Sequence, residues 1–301
     1  MKTDALSPPA EGDLAPAHTR LSDLLVLTKV RLNALAVATT AAGYYLGAPG
    51  PVDVVAMFIV CLGTALVASG AAALNQVDER DVDARMVRTR LRPVARGGMA
   101  PAEGRAIALA LSAAGLLIVW LGSNVTAASL ALATLAIYVF VYTPLKRRTS
   151  LATIVGAVPG ALPPIIGWAA AGSIAAPGPW SLFLIMFIWQ LPHFLAIAWM
   201  YRDDYAAAGL PMLPVVDTTG ATTGRQAGLW AATLIPCSQL PFLFGISSRT
   251  YAIGALVLGL VQLGLAVSFA ASRTRANARL LFYGSITYLP LLWALMAAGK
   301  P

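Results

Sequence analysis

Nine long apolar segments, almost free of charge, constrain the fold of this 301-residue chain more than any other feature. In lipid, only helices and closed barrels satisfy their own backbone hydrogen bonds, and about 20 apolar residues cross the hydrocarbon layer as a helix. With 58% hydrophobic residues and a mean hydropathy of +0.73, the chain is far more apolar than a soluble domain. We therefore expect an all-α, multi-pass membrane bundle of about nine transmembrane helices, near residues 30–47, 54–74, 105–122, 125–143, 151–172, 178–200, 226–244, 251–271 and 280–298.

The basic residues predict how this bundle lies in its membrane. Of the 21 lysines and arginines, all but Arg249 and Lys300 fall in the N-terminal segment or in every second connection between apolar segments. Because basic residues concentrate on the cytoplasmic side, we expect the N-terminus and the long connections to be cytoplasmic, in the cell inner membrane. The net charge of +8 then favours the anionic surface of the lipid bilayer. Nucleic-acid binding is not favoured, since no soluble basic domain is visible.

The N-terminal residues differ from the rest of the chain. Residues 1–20 contain three prolines, three acids and no apolar core, which predicts a disordered cytoplasmic tail. The remainder, 21–301, is predicted to form a single integral-membrane domain. Cys61 and Cys237 lie within predicted spans, where thiols usually behave as small apolar groups, so neither a disulfide nor a metal pair is expected.

Three polar side chains follow one another at intervals of four residues where the second apolar segment ends: Asn75, Glu79 and Asp83. On a helix each residue advances about 100°, so the three side chains would lie within about 80° of one face and share one cavity. Two carboxylates at this spacing repel each other, and a divalent cation would remove the conflict. Oxygen ligands completed by phosphate oxygens indicate a magnesium-diphosphate site. The alternative is an ordinary solvated loop.

Two arginines follow this group. Arg88 and Arg92 are four residues apart and would point the same way if the helix continued, so both guanidinium groups could bind a diphosphate. The alternative is a cytoplasmic arginine cluster at headgroup depth. Asp81 would project to the opposite side of the helix and is excluded from the site.

Several segments carry a resemblance to a known family. The stretch NQVDERDVDARMVRTRLRP (75–93) resembles the first signature of the UbiA-type intramembrane prenyltransferases, and specifically of their protoheme IX farnesyltransferase branch. Four further segments are similar to that branch and follow in order: YTPLKRRT (142–149), GALPPIIGW (160–168), WQLPHF (189–194) and DYAAAGLPMLP (204–214). The likeness covers roughly residues 29–292.

The resemblance implies a helical bundle around a central cavity, with Mg²⁺ as cofactor, farnesyl diphosphate and heme b as substrates, and heme O as product. It also implies heme A synthase or cytochrome oxidase assembly factors as protein partners. The metal ligands it implies are Asn75, Glu79 and Asp83. Catalytic roles are implied for these three residues and for Asp204 and Tyr205 of the second long connection, residues 201–225. Substrate contacts are implied for five more residues: Arg88, Arg92, Lys146, His193 and Asp203. Because Asp203 and Asp204 are adjacent where the family usually has two acids four apart, a fully ligated second metal is not expected.

His193 is the only histidine within a predicted span. An ionisable residue inside the membrane suggests function, and neutral imidazole is a common ligand of heme iron. A hydrogen bond to a neighbouring helix carbonyl, beside Pro192, is the alternative.

Other functions remain open at this point. A UbiA-type enzyme that prenylates a quinone or chlorin precursor would share the metal site. A membrane transporter would place its polar groups near mid-membrane rather than at helix ends. A scaffold without catalysis would not need Glu79 and Asp83 to face one cavity.

Overall fold

The computed structural model describes residues 19–301, which form α-helices and one π-helical segment, as the all-α prediction requires. Residues 1–18 of the predicted tail lie outside the described range, while Thr19 caps the first helix and Arg20 begins it. The division into a tail and one domain stays a prediction.

The α-helices are α1 (Arg20–Thr28), α2 (Val30–Gly47), α3 (Val54–Asp78), α4 (Arg80–Asp83), α5 (Pro101–Gly122), α6 (Val125–Ala136), α7 (Thr143–Leu145), α8 (Ala152–Ala161), α9 (Pro163–Ala171), α10 (Pro177–Met200), α11 (Arg202–Ala207), α12 (Leu213–Val216), α13 (Ala221–Cys237), α14 (Leu240–Leu243), α15 (Arg249–Ser272) and α16 (Arg275–Ala298), with the π-helix Ile137–Tyr142 between α6 and α7.

The predicted count of nine transmembrane helices is not confirmed. Within residues 19–301, seven helical segments are long and apolar enough to cross a membrane, or eight if α1 and α2, bent by 46°, form one span. The difference lies in the predicted segment 226–244. There α13 ends at Cys237 and the short α14 begins at Leu240, close to Pro236 and Pro241. Proline lacks a backbone donor and its ring clashes with the preceding turn, so one continuous helix does not form.

Glycines allow the helices to pack backbone against backbone. A Cβ atom on Gly43 of α2 would lie 2.0 Å from the carbonyl oxygen of Pro164 in α9, and one on Gly167 of α9 would lie 1.9 Å from that of Thr40 in α2. Neither distance is sterically possible. Small residues at such crossings are how helices approach closely in membranes, and here they hold α2 against α9.

Helix α10 lies at the centre of the bundle. It packs against α8, α9, α13 and α16, and 67% of its most apolar 18-residue stretch is buried inside the protein. A helix that is apolar all round is expected in such a buried position. Its side chains, including Trp189 and His193, can therefore line the interior cavities on several sides.

Candidate active site

The end of α3 brings three polar side chains to one cavity. The helix is interrupted at Glu79 (φ −92°, ψ 5°) and resumes in α4, so the single helix predicted through Asp83 is broken. The four-residue spacing survives because the Glu79 N–H donates to the Asn75 carbonyl (2.9 Å) and the Asp83 N–H to the Glu79 carbonyl (2.7 Å). Asn75, Glu79 and Asp83 are 3%, 1% and 0% exposed. They line one cavity of about 420 Å³, hereafter the polar cavity.

Each buried carboxylate in the polar cavity is paired with a cation. Lys146 Nζ donates to Glu79 Oε2 (3.1 Å), and Arg92 Nη1 donates to both carboxylate oxygens of Asp83 (2.7 and 2.6 Å). Burial alone would lower the pKa of Lys146, but the adjacent Glu79 carboxylate outweighs it and the pKa is raised. An unpaired charge at this depth would be strongly destabilising, which explains why the acids and bases are buried together.

One carboxylate oxygen has no partner. Glu79 Oε1 is buried and accepts no hydrogen bond within residues 19–301. Mg²⁺ in proteins binds through one or two carboxylates together with substrate phosphates, and an oxygen such as Glu79 Oε1 fits that requirement. The described residues contain no group of three or more His, Cys, Asp or Glu side chains that could hold an ion alone. The donors therefore fit a metal shared with a diphosphate, with Asn75 and Asp83 beside Glu79.

The second long connection contributes two side chains to the polar cavity, Tyr205 and Met212. Tyr205 of α11 is buried and lines the cavity, and its hydroxyl accepts a hydrogen bond from Arg88 Nη2 (3.1 Å). The Arg88 guanidinium also stacks over the rings of Tyr201 and Tyr205, 4.7 and 5.6 Å from their centroids. Asp203 and Asp204 do not line it. The Asp203 side chain is 98% exposed beside Arg202, because successive residues of a helix point in different directions.

Arg88 and Arg92 both line the polar cavity, although the helix does not continue through them. The chain forms turns from Ala84 to Gly98. As a result the two guanidinium groups have different partners, Tyr205 for Arg88 and Asp83 for Arg92.

Among the residues that line the polar cavity, three with ionisable side chains were not predicted from the sequence: Lys29, Tyr138 and Tyr142. Lys29 lies at the bend between α1 and α2 with φ 49°, and its Nζ donates to Asn75 Oδ1 (3.3 Å). A lysine just before an apolar segment usually lies at the depth of the lipid headgroups, so no local pattern predicted that Lys29 contacts Asn75. The four-residue spacing of Tyr142 and Lys146 was a usable signal, since it places both on one helix face.

His193 is held rigidly between α10 and α16. Its ring stacks between those of Trp189 and Phe282, with centroid distances of 5.0 Å to each. Its Nδ1 lies 2.7 Å from the hydroxyl oxygen of Ser285, so its hydrogen-bond partner is a side chain and not the helix carbonyl considered as the alternative to heme contact.

Two further cavities adjoin the polar one. The apolar cavity, about 340 Å³, extends from Tyr138 and Phe194 between α2, α3 and α8 and is lined mainly by apolar residues, many of them small. The arginine cavity, about 640 Å³, lies between α2, α10 and α16 and is defined by Arg31, Arg275 and Arg279 at one end. Leu32 of α2 lines all three cavities.

A family model, a curated relative and two solved structures show which known proteins this chain resembles in sequence and in fold. A family model described as "UbiA prenyltransferase family" matches residues 36–295. The chain is 44% identical over 290 residues to the protoheme IX farnesyltransferase of Solibacter usitatus, covering 93% of this chain and 99% of that protein. Its fold resembles that of a digeranylgeranylglyceryl phosphate synthase (TM-score 0.77, 15% identity, 93% of this chain and 98% of the other). It also resembles a UbiA homologue from Archaeoglobus fulgidus bound to GPP and Mg²⁺ (TM-score 0.63, 17% identity, 91% and 99%).

Proposed function

The chain belongs to the UbiA prenyltransferase family, and from this premise we propose that it transfers the farnesyl group of farnesyl diphosphate to a vinyl group of heme b. The product is heme O, which carries a hydroxyethylfarnesyl side chain. Relatives named protoheme IX farnesyltransferase align over more than nine-tenths of the chain. One observation in the structure carries the proposal: a buried, cation-rich cavity that opens directly onto an apolar one.

The charges of the polar cavity suit a diphosphate. Two carboxylates face four basic side chains in its lining, Lys29, Arg88, Arg92 and Lys146, which leaves an excess of positive charge. Arginine binds phosphate oxygens in a bidentate manner, and cations placed where negative charge develops stabilise a departing group. These side chains bind the diphosphate and stabilise it as its bond to C1 breaks.

Magnesium completes this site. When bound by Glu79, Asp83 and Asn75 together with diphosphate oxygens, Mg²⁺ supplies positive charge next to the leaving group. Glu79 Oε1 is the protein atom most available to it, because Glu79 Oε2 and both Asp83 oxygens already accept hydrogen bonds from basic side chains. Asn75 is held for this role by Lys29 and by Thr143, whose Oγ1 accepts from Asn75 Nδ2 (3.2 Å).

The apolar cavity accommodates the isoprenoid chain. Tyr138 and Phe194 line both this cavity and the polar one, so their rings flank the position where C1 leaves the diphosphate. Aromatic faces stabilise a nearby cation, and an apolar wall keeps water from it until it reacts.

The bond changes balance as follows. The C1–O bond breaks and its electron pair leaves with the diphosphate. The heme vinyl group donates its π electrons to C1, forming a carbon–carbon bond and leaving a cation next to the porphyrin. Water adds to that cation and loses a proton, which gives the hydroxyl of the side chain.

We assign contact with heme to His193. Tyr205 positions Arg88, which donates a hydrogen bond to the Tyr205 hydroxyl. Asp203 and Asp204 lie outside the polar cavity and are assigned no step.

Incubation of purified protein with heme b, farnesyl diphosphate and Mg²⁺ tests this function. We expect a product with the mass of heme O that requires all three components. If product forms from an aromatic quinone or chlorin precursor but not from heme b, that precursor is the acceptor and heme is not. A transporter is not supported, because Glu79 and Asp83 lie at a helix end and the family is one of prenyltransferases.

We also propose that the polar cavity faces the cytoplasm in the cell inner membrane, since the ends of helices around it carry most of the basic residues. Labelling of single cysteines placed at Arg148 and Gly50, which lie in connections separated by an odd number of spans, would test this, and we expect only the first to react from the cytoplasmic side. A partnership with heme A synthase or cytochrome oxidase assembly factors stays a prediction, which co-purification would test.

A further inference from the structure

The arginine cavity has a charged end and an aromatic end. Arg275 and Arg279 are four residues apart in the first turns of α16 and so share a helix face, opposite Arg31 of α2. Deeper in the cavity, the lining is formed by aromatic and aliphatic side chains of α10 and α16, among them Trp189 and Phe282. A flat apolar molecule with acidic groups on one edge would match this division.

The three arginines have no acidic partner among the described residues. Salt bridges hold Arg92 to Asp83 and Arg96 to Asp23, but none involves Arg31, Arg275 or Arg279. None of their side chains donates a hydrogen bond within residues 19–301 either. Their fork-shaped donors are therefore available for an anion, and carboxylates are the anions that guanidinium groups bind in a bidentate manner.

These arginines are separate from those of the polar cavity. Of the basic residues that line either cavity, only Arg88 lines both. The diphosphate is already surrounded by Lys29, Arg92 and Lys146, so the arginine cavity provides positive charge for a second anionic ligand.

At the aromatic end, Ser285 of α16 provides a hydrogen-bond partner for Nδ1 of His193. The Ser285 hydroxyl oxygen lies 2.6 Å from the Phe282 carbonyl oxygen and 2.7 Å from His193 Nδ1, and when the hydroxyl donates to that carbonyl it accepts from His193 Nδ1–H. Neutral His193 is then unprotonated at Nε2, which has no hydrogen-bond partner in the described part of the chain. An imidazole nitrogen of this kind is suited to bind heme iron.

We propose that the arginine cavity binds the heme acceptor through its propionates, with Arg31, Arg275 and Arg279 as their partners and Leu32 near the reacting vinyl group. This inference rests on the proposed function, since it names the binding mode of the same acceptor. In heme b the propionates occupy one edge of the macrocycle and the vinyl groups lie away from it. With the propionates on the arginines, a vinyl group is directed to Leu32, where the three cavities meet.

The test compares heme b with its dimethyl ester, which keeps the ring, iron and vinyl groups but has no propionate charge. Absorbance titrations of detergent-purified protein, without farnesyl diphosphate, give the two dissociation constants. We expect the free acid to bind at least about tenfold more tightly, as the loss of charge-assisted hydrogen bonds implies. Equal affinities of the wild-type protein for the two ligands would overturn the proposal, even if heme O is formed. This measurement requires no variant.

Variants then identify the partners. In Arg275→Gln/Arg279→Gln, affinity for the free acid should fall to that for the ester, while affinity for the ester stays unchanged. Arg225→Gln is the matched control, because Arg225 is exposed near the start of α13 and lines none of the three cavities. Thermal stabilisation by farnesyl diphosphate and Mg²⁺ should be equal in all three proteins, which shows that the variants fold.

Other results have distinct meanings. If the double variant keeps its preference for the free acid but loses stabilisation by phosphatidylglycerol vesicles, the arginines bind lipid headgroups and the proposal is wrong. If wild-type protein binds neither heme nor its ester and forms no product from heme, the proposed function itself fails.

Discussion

Among single residues, the polar cavity is defined by two carboxylates, each paired with a cation, and by further basic side chains. Glu79 and Asp83 are buried beside Lys146 and Arg92, and of their four carboxylate oxygens only Glu79 Oε1 accepts no hydrogen bond within residues 19–301. A substrate diphosphate with Mg²⁺ would enter this arrangement by exchanging ion pairs. The residues of the site are therefore arranged before substrate binds, which lowers the reorganisation that catalysis requires.

Glu79→Gln should reduce turnover by about 100-fold or more, because the amide cannot replace a carboxylate next to the leaving group. Turnover should be measured as heme O formed at several Mg²⁺ concentrations. Asp78→Asn is the control, since Asp78 lies one residue away but is partly exposed and pairs with Arg105. Unchanged turnover with an unchanged Mg²⁺ requirement would contradict the assigned role of Glu79.

Lys29→Asn should weaken binding of farnesyl diphosphate about tenfold, because it removes a half-buried cation of the polar cavity. Asparagine tolerates the left-handed backbone found at Lys29 (φ 49°) better than most residues, so the bend should persist. Thermal stabilisation by farnesyl diphosphate measures the affinity. Lys29→Arg keeps the charge, and a loss of equal size in that variant would indicate a steric role instead.

His193→Ala should impair the use of heme while leaving stabilisation by farnesyl diphosphate nearly intact, since the imidazole lines the arginine and apolar cavities but not the polar one. The KM for heme b and the absorption spectrum of the bound heme are the measurements. An unchanged dependence of turnover on heme would rule out this contact.

At the scale of elements, irregularities in the helices position the site. The break at Glu79 separates α3 from α4, the bend at Lys29 separates α1 from α2, and the π-helix Ile137–Tyr142 presents two tyrosines to the polar cavity. π-helical turns are often found at functional sites because they shift side chains out of the regular helical pattern. The regular helices between these points mainly pack against one another and form the walls of the cavities.

Gly167→Ala should destabilise the protein by about 1–3 kcal/mol, because the added methyl group would overlap the Thr40 carbonyl and separate α9 from α2. Gly264→Ala in α15 is the matched control, since no heavy atom lies within 4 Å of the Cβ position there. Thermal unfolding in detergent should show a lower midpoint for the first variant and an equal or higher one for the second. Equal midpoints in both variants would show that the α2–α9 crossing can relax.

At the scale of the whole molecule, three cavities meet at one side chain. In the proposed function, the polar cavity binds the diphosphate, the apolar cavity binds the isoprenoid chain and the arginine cavity binds the acceptor. Leu32 lines each of them, and its side chain is exposed rather than buried in the bundle. A reaction that joins two substrates requires such a common point, since the reacting carbons must come within about 3.5 Å.

Leu32→Trp should reduce formation of heme O by more than tenfold, because the indole would separate the acceptor from C1 by more than the distance that reaction allows. Binding of heme b and of farnesyl diphosphate, measured separately, should change much less than turnover. Leu260→Trp is the control, since Leu260 is exposed on α15, away from the three cavities. A parallel loss of binding and turnover would show that Leu32 supports a cavity wall instead.

Hydropathy and helical spacing along the sequence predict the all-α membrane fold, most of the spans and the four-residue intervals of Asn75, Glu79 and Asp83. These are local properties, so they can be read along the chain. The hydrogen bond from Lys29 to Asn75, 46 residues away, and the exposure of Asp203 became visible only in the folded structure. The same holds for the arginines of α16, which share a cavity with His193 of α10. Contacts between distant residues depend on how the helices pack, which no local pattern specifies.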